Sequence, residues 1–199
     1  TQHAQQYLER EAMNDELLAV QKDRAENVLR AYLKQHAVHF LPGNVAEKSF
    51  RDEGVIWDSV HLGGKIDLLE IDKASKTITV VDYKTGQLGN DPAKLHRYTL
   101  QLYCYKLLVE GSHSYAGYHV EQGRLVFVEP DGSGKIVQKN IQFDQEEVGR
   151  TKQLLAAMWQ RVQTLAMPDT AAYGDSLKDM LAFEQSLIGD FRTSPPADK

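Results

Sequence analysis

The sequence predicts a mixed α/β domain in which a central β-sheet is flanked by helices. Apolar residues at helical spacing open the chain and recur near its middle and its end, and short β-branched segments bounded by turn residues lie between them. The predicted order is a helical start, three strands, a helix, two or three strands and a helix. At 199 residues the chain suits one domain with a full core.

The amino-terminal part is predicted to be helical, with segments at about residues 3–13 and 16–36. Because the chain opens without a capping residue, we expect a domain cut from a longer polypeptide. A Pro-Gly turn at 41–44 leads into a strand at 45–50. Residues 51–58 are predicted to form a loop.

The central part is predicted to contain a β-hairpin, with strands at 60–71 and 77–83 and a polar connection between them. Pro92 suits the first turn of the next helix, and Gly111 ends that helix. The remaining predicted elements are strands at 115–120 and 124–129 separated by a turn at 121–123, a strand at 135–143, and a helix at about 145–165.

We divide the chain into a main domain at residues 1–167 and a carboxy-terminal part at 168–199. The main domain comprises amino-terminal helices in 1–40 and a core in 45–165. The carboxy-terminal part comprises a linker, a short amphipathic segment at about 177–188 and a polar tail.

Composition excludes several classes of protein. The single Cys104 excludes a disulfide within the chain and a cysteine-based zinc or iron–sulfur site. The chain has neither a signal peptide nor an apolar run long enough to span a membrane, so we expect a soluble, cytoplasmic protein with no membrane partner. The net charge of −5 argues mildly against a stand-alone nucleic-acid binder.

Charged residues interrupt the two apolar strands of the predicted hairpin, at Asp67 and at Asp82 and Lys84. A buried charge costs several kcal/mol unless it is compensated. Asp82 and Lys84 are two residues apart and therefore share one face of the strand, and pairing can bring Asp67 beside Asp82. Two carboxylates suit Mg²⁺ or Mn²⁺, and a lysine beside them suits a phosphate, which points to metal-assisted phosphodiester cleavage. The alternative is a surface salt bridge on a half-exposed hairpin.

These segments, followed by a helix that bears Gln101 and Tyr105, resemble the PD-(D/E)XK nuclease superfamily. Within it they resemble the RecB/AddB-like branch, often found at the carboxy terminus of UvrD/Rep-type helicases. The resemblance covers roughly residues 45–165 and implies a restriction-endonuclease-like core. The site residues that it implies are the metal ligands Asp67, Asp82 and the backbone carbonyl of Tyr83, and the catalytic Lys84.

Gln101 and Tyr105 are four residues apart and share one helix face. The resemblance implies that Gln101 touches the active site and that Tyr105 faces the DNA path. The alternative is a core stripe with Gln101 at its edge. That stripe would comprise Tyr98, Leu102, Tyr105 and Val109.

Two further residues are weaker candidates. The family often has a glutamate one strand before the first aspartate, which implies that Glu47 completes the metal site or holds Lys84; the alternative is a solvated pair with a lysine. The family also carries a histidine on an amino-terminal helix, a position that His3 matches, although chain ends fray.

The resemblance therefore implies a Mg²⁺- or Mn²⁺-dependent DNA nuclease without an iron–sulfur cluster, which acts with helicase domains of a parent polypeptide or complex in DNA repair or recombination. A second hypothesis is a nuclease-like fold that has lost activity and serves as a DNA-binding or protein-docking module. A third is a metal-dependent enzyme acting on another phosphate ester.

Overall fold

The computed structural model describes residues 2–9, 11, 13–37, 40–87 and 89–193. The order of helices and strands confirms the predicted mixed α/β class. The elements are α1 (Gln2–Leu8), α2 (Asp15–His36), β1 (Val45–Ser49), β2 (Val55–Trp57), β3 (Val60–Leu62), β4 (Lys65–Asp72), β5 (Thr77–Lys84), α3 (Pro92–Glu110), β6 (His119–Phe127), β7 (Val137–Gln142), α4 (Gln145–Thr164) and α5 (Leu177–Thr193).

Five strands form the central sheet in the order β1-β4-β5-β6-β7. β4 and β5 form the predicted antiparallel hairpin, whereas β5 and β6 are parallel and are connected through α3. A parallel pair requires such a crossover because a tight turn joins only antiparallel strands. The strand that carries Asp82 and Lys84 therefore lies in the middle of the sheet.

Helices cover both faces of the sheet around β5. Val80 belongs to the main core, into which Leu102 and Val109 of α3 also pack. Val81, which follows it in the strand, faces the opposite way and packs near Tyr32 of α2. Successive strand residues alternate between faces, so Asp82 lies on the α3 side together with Val80.

Capping residues explain where α3 begins and ends. The Asp91 carboxylate accepts the backbone N–H of Lys94 at 3.0 Å, and Pro92 occupies the first turn. Gly111 lies at the carboxy-terminal cap, where its N–H bonds to the Leu107 carbonyl. These local signals set the two ends of α3, the helix that carries Gln101, as the sequence predicts.

The predicted strand at 60–71 is wrong in detail, because Gly63 and Gly64 divide it into β3 and β4. β3 pairs with β2, which forms inside the predicted loop at 51–58 and makes a separate two-stranded sheet. The short β2 escapes sequence analysis because three residues are too few to show a strand's alternation of apolar and polar positions.

The predicted turn at 121–123 is also wrong, since β6 is one continuous strand. Its register with β5 shifts after Ile78, so Glu121 is an additional residue, a bulge, in the parallel ladder. Gly123 has a packing reason, because a Cβ there would lie 2.8 Å from Leu102 Cδ1. Polar residues followed by a glycine have the composition of a turn, which explains why the sequence predicted a turn here.

The terminal helices differ in length from their predictions. α1 ends at Leu8, and α5 continues past residue 188 to Thr193. α5 packs on α4 through Leu187 and Ile188. None of the helices within the described ranges has the length and apolar character needed to cross a membrane.

The mostly buried carboxylate of Glu53 holds the loop after β1 in place. Its ionisation is expected to contribute to the stability of the fold. Hydrogen bonds from Lys48 and from the Ser114 hydroxyl lower the pKa of Glu53 to about 2. Because this folded-state pKa lies below the ordinary value, the stabilisation is present at neutral pH and is lost as the pH falls through about 2. We expect Glu53→Gln to lower the free energy of unfolding by about 1–3 kcal/mol at pH 7.

Chemical denaturation at a series of pH values checks this prediction. The difference between wild type and Glu53→Gln is expected to shrink below pH 4.5, the ordinary pKa of a glutamate. Glu121→Gln, at an exposed position, is the control and is expected to be neutral. A difference that stays constant down to pH 2 would contradict an electrostatic role for Glu53.

Candidate active site

The candidate site lies where β4 and β5 diverge. The last residues of this ladder that pair are Leu68 and Val81. Beyond them the Asp67 carboxylate takes the place of a backbone acceptor, with Oδ2 accepting the Tyr83 N–H at 2.8 Å. Since the N–H and C=O of one strand residue point to the same side, the Tyr83 carbonyl also faces β4. The Lys84 carbonyl points the other way and accepts the Val128 N–H.

Four side chains form a closed polar network on the α3 side of β5. Lys84 Nζ lies 2.6 Å from Asp82 Oδ2 and donates to Gln101 Oε1 at 2.7 Å. Gln101 Nε2 donates to the Tyr105 hydroxyl at 2.7 Å, and that hydroxyl donates to Asp82 Oδ1 at 3.3 Å. The predicted shared face of Asp82 and Lys84 is confirmed by their contact. The network links the centre of the sheet to α3.

Asp82 is deeply buried, with only 2% of its surface exposed, so its negative charge is poorly solvated by water. Its pKa is raised, chiefly because burial removes water from the carboxylate; the Lys84 ammonium opposes this shift and the Asp67 charge adds to it. Asp82 Oδ2 has an ion-pair contact with Lys84 but no well-aligned hydrogen bond from the described residues. One lysine therefore does not fully compensate the two carboxylates.

The donor chemistry here fits a hard divalent cation. Asp82 Oδ2 is a buried oxygen with an unfilled hydrogen-bonding position, Asp67 supplies a second carboxylate, and the Tyr83 carbonyl faces the same strand. Oxygen donors of this kind are those that Mg²⁺ and Mn²⁺ prefer. Among the described residues no group of three or more His, Cys, Asp or Glu side chains is arranged to hold a metal. The backbone carbonyl and water would thus have to complete the coordination.

Tyr98 belongs to the site although sequence analysis placed it only in a possible core stripe. The Lys84 ammonium lies 4.2 Å from the centre of the Tyr98 ring, within the range of a cation–π interaction. Tyr98 precedes Gln101 by three residues and so shares its helix face. That spacing was the available signal, but only the packing of α3 on β5 shows that the ring lies against Lys84.

Residues of the predicted core stripe on α3 also contribute to the candidate site. Leu102, Tyr105 and Val109 are buried, and Tyr98 packs against the same core. Tyr105 is 8% exposed, so its ring faces the core and not the DNA path expected from the resemblance. Its hydroxyl joins Gln101 to Asp82, and burial raises the pKa of that hydroxyl.

Glu47 differs from its expected role as a partner of Lys84. It forms an ion pair with Lys65, and its side chain is 63% exposed. The backbone of Glu47 has a φ of 56°, so this edge strand is irregular where Asp67 lies opposite. Glu47 still lines a cavity of about 560 Å³ together with Asp67. His3 belongs to α1, and its side chain lies outside the part that the structure describes.

A mixed sheet flanked by helices, with two carboxylates and a lysine where two strands diverge, is the arrangement of a restriction-endonuclease-like fold. The family model of the PD-(D/E)XK nuclease superfamily matches residues 1–175. The chain belongs to this superfamily, which confirms the family and the restriction-endonuclease-like fold predicted from the sequence. The superfamily consists largely of nucleases, which makes a nuclease-type phosphodiester hydrolase the general expectation. A search of curated proteins found no match.

Proposed function

We propose that this chain is a Mg²⁺- or Mn²⁺-dependent DNA nuclease domain of the RecB/AddB-like branch. The observation that carries the proposal is the contact of Lys84 with Asp82 at the point where β4 and β5 diverge, beside Asp67. A structural salt bridge has no need of a second carboxylate there or of a buried oxygen without a hydrogen bond.

In this proposal Asp67, Asp82 and the Tyr83 carbonyl hold the metal. When bound, the cation supplies positive charge that polarises the scissile phosphate and acidifies water. The protein fixes these oxygens on two neighbouring strands, so little reorganisation is needed when substrate binds. Burial of Asp82 strengthens its interaction with any cation, because the local dielectric constant is low.

Lys84 is proposed to stabilise negative charge on the phosphate or to orient the attacking water. An ammonium has three donors, of which Gln101 engages one, while Asp82 Oδ2 makes an ion-pair contact without an aligned hydrogen bond, so donors remain for the substrate. The Tyr98 ring restricts the same ammonium from the side. Gln101 and Tyr105 act as positioning residues, because their hydrogen bonds hold the side chains of Lys84 and Asp82 in place.

We further propose that helicase domains of a parent polypeptide or complex deliver DNA to this domain in repair or recombination. The net charge of −5 supports this, since an acidic surface gives the domain little affinity of its own for DNA. DNA binding by the domain alone is therefore expected to be weak and to fall steeply with salt.

The positioning role of Tyr105 leads to a prediction of intermediate size. Tyr105→Phe keeps the buried ring but removes the hydroxyl between Gln101 and Asp82. We expect kcat to fall by about 2–13-fold, with KM nearly unchanged, because a hydrogen bond contributes about 1 ± 0.5 kcal/mol and each 1.36 kcal/mol is a factor of ten. Steady-state cleavage of labelled DNA checks this, and Tyr173→Phe, far from the network, is the control.

Metal binding tests the proposal independently of any substrate. We expect Mn²⁺ to raise the melting temperature of the wild type, since a ligand that binds only the folded state stabilises it, and chelator to reverse the effect. Asp82→Asn is expected to abolish most of this shift, whereas Asp23→Asn on α2 is expected to retain it. An unchanged melting temperature of the wild type at millimolar Mn²⁺ would contradict the proposed metal site and favour the inactive docking module.

A further inference from the structure

A further pocket, of about 420 Å³, lies at the beginning of β4. It is lined by Ser49, Arg51, Gly63, Gly64 and Lys65. Two of its five residues are cationic and none is acidic, although the chain as a whole carries a net charge of −5. The pocket is thus a local exception to the acidic character of the protein.

Arg51 is available to a ligand. Its guanidinium makes neither a hydrogen bond nor an ion pair with the residues that the structure describes, and only its backbone N–H contacts Ser49, at 3.4 Å. Among the residues that the structure describes, Lys65 pairs only with the exposed Glu47. A planar guanidinium with five free donors matches the oxygens of a phosphate.

The two glycines of the pocket differ in what the fold requires of them. A Cβ at Gly64 would lie 3.1 Å from Leu108 Cδ1, so packing favours glycine there. A Cβ at Gly63 would meet no atom within 4 Å, and the backbone of Gly63 is outside the left-handed region. The fold therefore has no need of a glycine at 63, where any other residue would lose less entropy on folding. The absence of a side chain at Gly63 leaves room for a ligand to approach the backbone.

Backbone donors complete the pocket. The Gly64 carbonyl accepts the Phe50 N–H at 2.8 Å, which fixes the loop after β1 against the glycines. Within the described chain the N–H groups of Gly63 and Gly64 donate no hydrogen bond. Exposed backbone N–H groups beside cationic side chains are typical of anion-binding sites.

The pocket adjoins the candidate active site. Gly64 immediately precedes β4, and Asp67 follows it by three residues, about 10 Å at the usual rise of a strand. Lys65 lines the basic pocket, and its partner Glu47 lines the cavity that contains Asp67. A nucleic-acid strand with one phosphate at Asp67 and Asp82 can therefore place another phosphate of the same strand in this pocket.

We propose that the pocket formed by Arg51, Gly63 and their neighbours binds a phosphodiester group of the substrate strand next to the one that is cleaved. This inference rests on the proposed nuclease function and names the group that anchors the substrate. Arg51 and Lys65 supply the charge, and Gly63 allows the phosphate to approach the backbone. The ligand is a nucleic-acid backbone and not a free phosphate.

Binding of a fluorescein-labelled single-stranded DNA oligonucleotide in chelator, between about 50 and 200 mM salt, tests the inference. Arg51→Gln is expected to weaken affinity by about 3–10-fold and to reduce the slope of log K against log salt by about 0.7, the value for one lost phosphate contact. Gly63→Ala is expected to weaken affinity by about 3–10-fold without lowering the melting temperature. The matched controls Lys73→Gln, at the far end of β4, and Gly132→Ala, where a Cβ also meets open space, are expected to stay within about twofold.

The outcomes separate the inference from the proposed function. If the wild type cleaves DNA with Mn²⁺ but Arg51→Gln and Gly63→Ala bind like their controls, the phosphate pocket is overturned and the nuclease stands. If the wild type neither binds nor cleaves DNA, the nuclease proposal fails and the inference fails with it. If inorganic phosphate raises the melting temperature of the wild type but not of Arg51→Gln, while both bind DNA equally, the pocket takes free phosphate and the assignment to a strand is wrong.

Discussion

Lys84→Ala is expected to reduce DNA cleavage by about 10²–10³-fold, the usual cost of removing one preorganised electrostatic contact to the transition state. Lys84 is the cation that contacts Asp82, Gln101 and the Tyr98 ring in the candidate site. The loss is expected in kcat, because the proposed metal ligands Asp67 and Asp82 remain in the variant. We expect single-turnover cleavage of labelled DNA, with Mn²⁺ in excess, to measure this loss directly.

The variant is also expected to remain folded and to retain a Mn²⁺-dependent rise in melting temperature. Lys73→Ala removes a lysine from the exposed turn of the same hairpin and is expected to cleave like wild type. Normal cleavage by Lys84→Ala would assign Lys84 a structural role. Unfolding of the variant in the presence of Mn²⁺ would mean that the metal does not neutralise the carboxylates, which contradicts the proposed coordination.

Asp82→Asn is expected to have the largest effect on activity, a loss of about 10³-fold or more. A catalytic metal contributes several kcal/mol to transition-state stabilisation, and each 1.36 kcal/mol corresponds to a factor of ten. Asparagine has nearly the same shape, so the hydrogen bond with Tyr105 and the packing of β5 are expected to survive. Circular dichroism checks that the variant remains folded, and a cleavage time course measures its loss of activity.

Asp23→Asn, on an exposed turn of α2, is the matched control and is expected to leave cleavage unchanged. If Asp82→Asn retained more than about a tenth of wild-type activity, the carboxylate would not be an essential ligand. Raising Mn²⁺ is expected to restore little activity, because the remaining carboxylate at Asp67 also accepts the Tyr83 N–H.

The sequence predicted the parts of the site that depend on local periodicity. Asp82 and Lys84 lie on one face because a strand repeats every two residues, and the caps at Asp91 and Gly111 define α3 because they depend on neighbouring residues alone. The pairing of β4 with β5 followed from their polar connection, and it brought Asp67 next to β5.

The parts that the sequence did not predict depend on contacts between distant elements. Tyr98 meets Lys84 only because α3 packs across the end of β5. Glu47 turns toward Lys65 because the edge strand is irregular at that residue, which no local pattern reveals. The continuity of β6 through Glu121 depends on its pairing with strands on both sides, and this pairing outweighs the turn-like composition.

The central claim is that divalent metal at Asp67 and Asp82 enables this domain to cleave DNA. The most direct test incubates the wild-type protein with end-labelled single- and double-stranded DNA, with Mg²⁺, with Mn²⁺ and with chelator. We predict shortened products with at least one of the two metals and intact DNA with chelator. Intact DNA under every condition, from a protein shown to be folded, would contradict the claim and would favour a nuclease-like module that binds DNA or protein without cutting.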